Sequence, residues 1–294
     1  MVDMAAIPST PARASAGRRL RAWRFVRRNP TMVVGLAVLG AMLLAALAAP
    51  WIAGDPHSMK PVQRFKPPSD TVWFGTDNLG RDVYARTIYG ARVSLAVGLT
   101  VAVVAVSIGL LIGLLAGFFR PVEAIVMRLM DGLMAIPAIL LAIALVSLMG
   151  SSVRVVIIAI TIPEIPRVVR LVRSVVLTIR EEPYVEAAIS VGTPLHKILW
   201  RHVLPNTVAP VIVQGTFICA SAVLAEAALS FLGIGIPTDT PTWGNIMAEG
   251  RQFFRVYPHN IFFPAIFLTI TVLAVNMLGD GLRDTLDPKM SKRV

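Results

Sequence analysis

Phosphate chemistry needs a cradle of backbone N–H groups and a lysine, which the Walker pattern supplies as Gly-Lys followed by Ser or Thr. None of the five lysines here follows a glycine, so this chain brings no P-loop of its own. The four histidines, His57, His196, His202 and His259, never stand three or four apart, the spacing that lets two imidazoles on one helix share a metal. Neither HExxH nor the serine elbow G-x-S-x-G occurs. The single cysteine, Cys219, permits no intrachain disulfide and sits in an apolar run as a packing residue. What remains is electrostatic: Asp131, Glu164 and Glu226 lie in or beside long apolar stretches, where a charge is costly and marks a functional candidate. Asp131 has Arg128 one helical turn away, and Glu164 has Arg167 at the same spacing, close to a membrane face. Glu226 has no local partner. It and Asp131 are candidates either for the translocation path or for polar contacts between helices.

The elements that must position these groups are membrane helices. Hydrophobic residues make up 55% of the chain and the mean hydropathy is +0.71, concentrated in runs long enough to cross about 30 Å of hydrocarbon. Residues 31–53, 93–119, 132–153 and 260–279 each meet that length. Residues 207–225 continue past Glu226 to about 236 and make a fifth span. Residues 155–166 are short and hold Pro163, Glu164 and Pro166; they count as a sixth, irregular span, because without it the two chain ends would face opposite sides. The expected fold is an all-α integral membrane protein with six transmembrane helices.

A net charge of +11 would suggest nucleic acid for a soluble domain. Here position explains it. With both ends cytoplasmic, the loops assigned inside hold 19 of the 28 lysines and arginines, as the positive-inside rule requires, and no nucleic acid is expected. The chain thus divides into a cytoplasmic tail over 1–30, a first span over 31–53, an extracytoplasmic loop over 54–92, a core over 93–283 and a short cytoplasmic tail over 284–294. A cleaved signal peptide is the competing reading of the basic N-terminus and Ala46-Leu47-Ala48, but the apolar run outlasts a normal h-region.

Two polar segments interrupt the spans. In FGTDNLGRDVYARTIYGARVSL (residues 74–95), Thr76 fits an N-cap and Asp77 a first turn, with Val83, Tyr84 and Ile88 on one face. This predicts an amphipathic elbow on the outer surface, with Asp77, Arg81 and Asp82 as candidate contacts or as purely structural groups. On the inner side lies EAAISVGTPLHKILWRHVLP (residues 186–205). Glu186 to Val191 suits a helix, Gly192 can close it, Thr193 can cap the next and Pro194 can open it. Leu195, Ile198, Leu199 and His202 then share one face until Pro205 ends the turn. The outcome is a short amphipathic helix, displayed to a cytoplasmic partner or lying on lipid headgroups.

Glu186-Ala187-Ala188, Gly192 and Leu204-Pro205 resemble the EAA loop of ATP-binding cassette (ABC) importer permeases, with His202 where many members have isoleucine. FGTDNLGRDVYARTIYGARVSL, AEAALSFLGIGIP followed by PTWGN, and NMLGDGLRDTLDP narrow the likeness to the second permease subunit of the dipeptide, oligopeptide and nickel branch, over about residues 24–289. The resemblance implies a type I importer permease in the bacterial cytoplasmic membrane, surrounded by lipid and paired as a heterodimer with a homologous permease subunit. It implies two ATPase subunits that carry ATP and Mg, with no cofactor bound directly by this chain, and an extracytoplasmic solute-binding protein. Glu186, Ala187, Ala188, Gly192, Leu195, Ile198, Leu199, Leu204 and Pro205 would couple it to the ATPases, and peptides would cross by alternating access. The alternatives are an ion-coupled secondary transporter using the three carboxylates, a receptor or scaffold without transport, and import of a related solute such as a nickel chelate or glutathione.

Overall fold

The computed structural model describes residues 29–286, and helices make up its architecture. In chain order these are α1 Pro30–Ile52, α2 Val83–Phe118, α3 Arg120–Met134, α4 Ala138–Met149, α5 Val153–Arg180, α6 Pro183–Ser190, α7 Leu195–Ile198, α8 Leu204–Phe231, α9 Trp243–Gly250 and α10 His259–Leu286. Among the described residues α1, α2, the continuous stretch Leu195–Phe231 and α10 are long and apolar enough to cross a membrane. The pair α3 and α4 would add a fifth crossing if taken as one broken span. The N-terminal tail up to residue 28 and the C-terminal tail from residue 287 lie outside the described residues.

Several helices exceed the apolar runs that announced them, because such a run measures only the part matched to hydrocarbon. The expected outer elbow before residue 93 is not separate: α2 begins at Val83 and runs unbroken for 36 residues. Its N-cap is Asp82, whose carboxylate accepts the Tyr84 N–H, and Thr76 lies upstream in the loop. The expected straight span over 132–153 is instead bent by 86° between α3 and α4. Pro137 explains the break, since it disfavours helix at Ile136 and has no N–H to continue the ladder. Residues 155–166 belong to a single 28-residue helix, α5, that passes through Pro163 and Pro166 and ends only at Arg180. Glu164 therefore stands about 16 Å along that helix, with helix continuing on both sides of it. The fifth apolar run is helical to Phe231 and then turns, and the last helix continues to Leu286, so residues 284–286 are helix and not tail.

Contacts sort the helix ends into two groups. At one end Met32 packs on Gly281, the Arg180 guanidinium reaches the Phe118 carbonyl, and α6 follows directly from α5. At the other, Trp243 donates its indole N–H to the Thr87 carbonyl at 3.0 Å, and Phe74 stacks on Phe263 at 4.0 Å. Residues 29–32 and 281–286 therefore share one face with the segment that follows α5. Helix α1 packs on α10 and α2, and turns Leu44 and Trp51 outward.

The most extensive helix pairing joins α2 to α5. Gly109, Gly113 and Gly117 recur every four residues on α2, opposite Val168, Val172 and Val176 at the same interval on α5. A Cβ at these glycines would fall 2.4, 2.6 and 2.6 Å from the opposing valine Cβ atoms, so the backbones touch only because the side chains are missing. Gly113→Ala is expected to lower stability by about 1–3 kcal/mol through overpacking. Thermal unfolding of the purified permease measures it. An unchanged melting temperature in Gly113→Ala would contradict the close contact.

Candidate functional site

The EAA segment starts on α6, where Pro183 occupies the first turn and Glu186 follows in it, favourably placed at the positive end of the helix dipole. Glu186 and Ala187 are exposed, while Ala188 is half-buried against the core. The helix ends in a Schellman arrangement: the Thr193 N–H donates to the Ala188 carbonyl at 3.0 Å and the Gly192 N–H to Ile189 at 2.9 Å. Gly192 has φ +80°, a left-handed conformation that a side chain resists, so the expected glycine stop is present.

The turn that follows departs from expectation. Thr193 does not cap α7; its N–H already closes α6, and Pro194 takes the N-cap position in extended conformation. The Pro194 carbonyl accepts from Lys197 at 2.9 Å and Ile198 at 3.2 Å. Pro205 does not end the helix either. A π-helical turn over Leu199–Val203 shifts the hydrogen-bond register just before it, so that the Leu204 N–H reaches Leu199. Pro205 then lies in the first turn of α8, where a missing N–H costs nothing.

The expected docking face is also turned around. Ile198 is 1% exposed and packs with Val185 and Val203 in this chain's own core, and Leu195 and Leu199 are half-buried. His202 faces Tyr184 at 5.9 Å between ring centroids. The apolar side chains left outside are Ile189, Val191 and Trp200, which are 48%, 86% and 71% exposed. Helical periodicity reveals an apolar face but not whether its partner is the same chain or another. The exposed trio went unnoticed because Ile189 and Val191 flank a turn and follow no helical period.

On the opposite face, Asp77 and Arg81 are buried in an ion network and not presented to a partner. The Asp77 carboxylate accepts from Arg81 Nε at 2.6 Å and from Arg86 Nη1 at 2.8 Å, and Glu249 on α9 binds both guanidinium groups from the other side. Two carboxylates and two guanidinium groups neutralise one another, as buried charges must. Asp82 caps α2 from the half-buried edge of this network; burial pushes its carboxyl up from its ordinary value, opposed by the Tyr84 and Ala85 N–H groups and Lys60. Arg86 and Glu249 were missed, and at 163 positions apart in sequence no local pattern could have paired them.

The three membrane carboxylates separate in role. Asp131 pairs with Arg170 on α5 at 2.6 Å and not with Arg128, and Glu123 likewise takes Arg173 Nε at 2.8 Å, so both bonds clip α3 to α5. Glu164 contacts Arg167 at 3.2 Å, as its spacing suggested, and also accepts Ser221 Oγ from α8 at 3.2 Å. Glu226 is 0% exposed and accepts Ser94 Oγ from α2 at 3.0 Å and Ser230 Oγ at 2.9 Å. The Ser94 bond joins α2 to α8, and Ser230 one turn away on α8 was a readable signal for a local partner. Glu226→Gln keeps an acceptor oxygen for one serine and offers an N–H to the other, whose hydroxyl can turn to accept it, so stability and transport are expected to stay near wild type. Glu226→Leu should destabilise by about 1–3 kcal/mol, because two buried hydroxyls lose their acceptor. Thermal unfolding and uptake in proteoliposomes check both, and a transport loss in a stable Glu226→Gln complex would return Glu226 to the path.

Known proteins match this sequence along nearly the whole chain. Residues 109–292 match the family described as the binding-protein-dependent transport system inner membrane component, and residues 19–68 match the N-terminal TM domain of oligopeptide transport permease C. A probable peptide ABC transporter permease protein of Sinorhizobium fredii is 54% identical over 97% of this chain and 99% of its own length. The dipeptide transport system permease protein DppC of Alkalihalophilus pseudofirmus is 40% identical over 92% of this chain and 89% of its own. The glutathione transport system permease protein GsiD of Escherichia coli is 41% identical over 91% and 89%. Among solved structures, an inward-facing MetNI methionine ABC transporter aligns at 18% identity and a TM-score of 0.48, covering 66% of this chain and 94% of that one, too loose a likeness to bear on the fold. A membrane-spanning helical core, an EAA turn and matches of this extent place the chain in one family: it belongs to the inner membrane components of binding-protein-dependent transport systems, the permeases of ABC transporters.

Proposed function

We propose that this permease forms one half of the transmembrane pathway of a peptide importer. It pairs with a homologous permease as a heterodimer, receives solute from an extracytoplasmic binding protein, and is driven through its EAA segment by two ATPases that hold ATP and Mg. Peptide as the solute follows from the relatives whose names specify peptide or dipeptide transport. Glutathione, itself a peptide, is the second reading, favoured by the likeness to GsiD.

The observation that carries the coupling role is the pair of tightly bonded turns that hold Ile189, Val191 and Trp200 out of the chain's own core. Apolar side chains exposed on such turns transmit force only when a partner covers them. Sidedness supports the same assignment. Both described chain ends lie on the face that carries the EAA segment, so the number of crossings between them is even. Counting the α3 and α4 pair as one broken span therefore requires α5 to cross as well, which gives six. With positive charge concentrated on that face, the termini are cytoplasmic.

Two experiments test this. In a Cys219→Ser background, a cysteine replacing Val191 should crosslink to one in the ATPase cleft; labelling of that cysteine by a lipid-embedded probe, with no crosslink, would remove the docking role. Gly192→Val should leave the permease in the membrane but weaken its hold on the ATPase. The left-handed conformation costs a non-glycine residue about 1–2 kcal/mol, so uptake and solute-stimulated ATP hydrolysis should fall together.

A further inference from the structure

A groove between α5, α8 and α10 encloses about 630 Å³ at the end of the molecule that carries the EAA segment. Leu171, Asn206, Gln214, Phe217 and Arg283 line it. One turn deeper on α5 than Leu171 stands Arg167, and one turn deeper on α8 than Phe217 stands Ser221, which binds Glu164. Arg167 and Ser221 thus stand just beyond the groove's lining, on the helix faces of Leu171 and Phe217 and one turn farther from the exposed Arg283 at its mouth.

That pair is built unlike the structural ion network at the other face. The Glu164 side chain is 5% exposed and that of Arg167 is 49% exposed, so the cation leans toward open space while the anion stays inside. Both Glu164 oxygens share the single Nη1 at 3.2 Å, longer than a charge-assisted bond at its optimum, and two of the three guanidinium nitrogens take no part. In the same stretch of α5, Pro163 and Pro166 have no N–H to give to the carbonyls of Ala159 and Ile162. Backbone of this kind is tolerated at membrane depth where it lies in protein or lines a wet cavity. A carboxylate with neighbouring carbonyls suits an ammonium group, and a half-open guanidinium suits a carboxylate.

We propose that Glu164 and Arg167 form a transit subsite for the two charged ends of a zwitterionic peptide, with Glu164 receiving the ammonium end and Arg167 the carboxylate end. The assignment rests on the peptide reading above. The full complex, reconstituted in proteoliposomes with labelled dialanine as the probe, tests it by following uptake and ATP hydrolysis together. Arg167→Gln and Glu164→Gln should each lower dialanine uptake about tenfold, the scale of one lost charge-assisted hydrogen bond, while ATP hydrolysis stimulated by loaded binding protein persists. Arg167→Lys should keep most of the uptake. In a Cys219→Ser background, Gln214→Cys should react with a membrane-impermeant thiol reagent from the cytoplasmic side, and Ile212→Cys, on the exposed face of α8, should not. Wild-type uptake in both glutamine variants, or an unreactive Gln214→Cys, would overturn the subsite while peptide transport stands. Uptake and hydrolysis lost together would mark the pair as structural and overturn it equally. A wild-type complex that hydrolyses ATP for another solute but moves no dialanine would refute the peptide reading, and the subsite with it.

Discussion

In hydrocarbon a helix gains nothing by hiding apolar side chains from its surroundings, so cohesion must come from closeness of approach and from polar groups that have no water to turn to. Helix α2 supplies both. Its inner half carries the glycine ridge on which the valines of α5 rest, and its outer half sends Ser94 to Glu226 on α8. Gly98 meets Val223 and Cys219 on the way, so the same helix touches α8 through a second small-residue contact. The remaining core assembles on this spine: α4 lies on α5, α10 on α8, and α1 on α10.

The two ends of the bundle answer different demands. At the end away from the EAA segment, Asp77, Arg81, Arg86 and Glu249 lock the loop before α2 to α9, and a capping box between Thr242 and Asn245 fixes the start of α9. An ion network so buried holds one geometry, because removing any member would strand a charge. At the end that carries the EAA segment, order comes from backbone turns, and apolar side chains are held outward at Ile189, Val191 and Trp200. The π-helical turn joins this tip to α8 as one unbroken helical stretch, so displacement of the tip reaches the spanning helix through a continuous helical backbone. That continuity links the coupling segment to the groove beside α8.

Composition, span lengths and the distribution of arginine and lysine determined the class of protein, because crossing hydrocarbon imposes length and polarity on local sequence. Gly192 was legible for a similar reason: a left-handed stop leaves a glycine at a fixed offset from the helix it closes. The glycine ridge at 109, 113 and 117 was equally present in the sequence as a repeat of four, and its meaning depended only on finding the valines opposite. Helix limits were less legible, since α2 and α5 continue through polar turns where no apolar run marks them.

Tertiary structure alone decided which polar groups meet. Asp131 had a plausible neighbour in Arg128, yet it binds Arg170, because the bend before Pro137 lays α3 against α5. Glu249 and Arg86 are far apart in sequence and adjacent in space. Ile198 carries the periodicity of a docking face but packs into its own core, while Val191 follows no period and stands exposed. Periodicity is set by the local helix, whereas the partner of each face is set by where the chain returns, and that is fixed only when the helices pack.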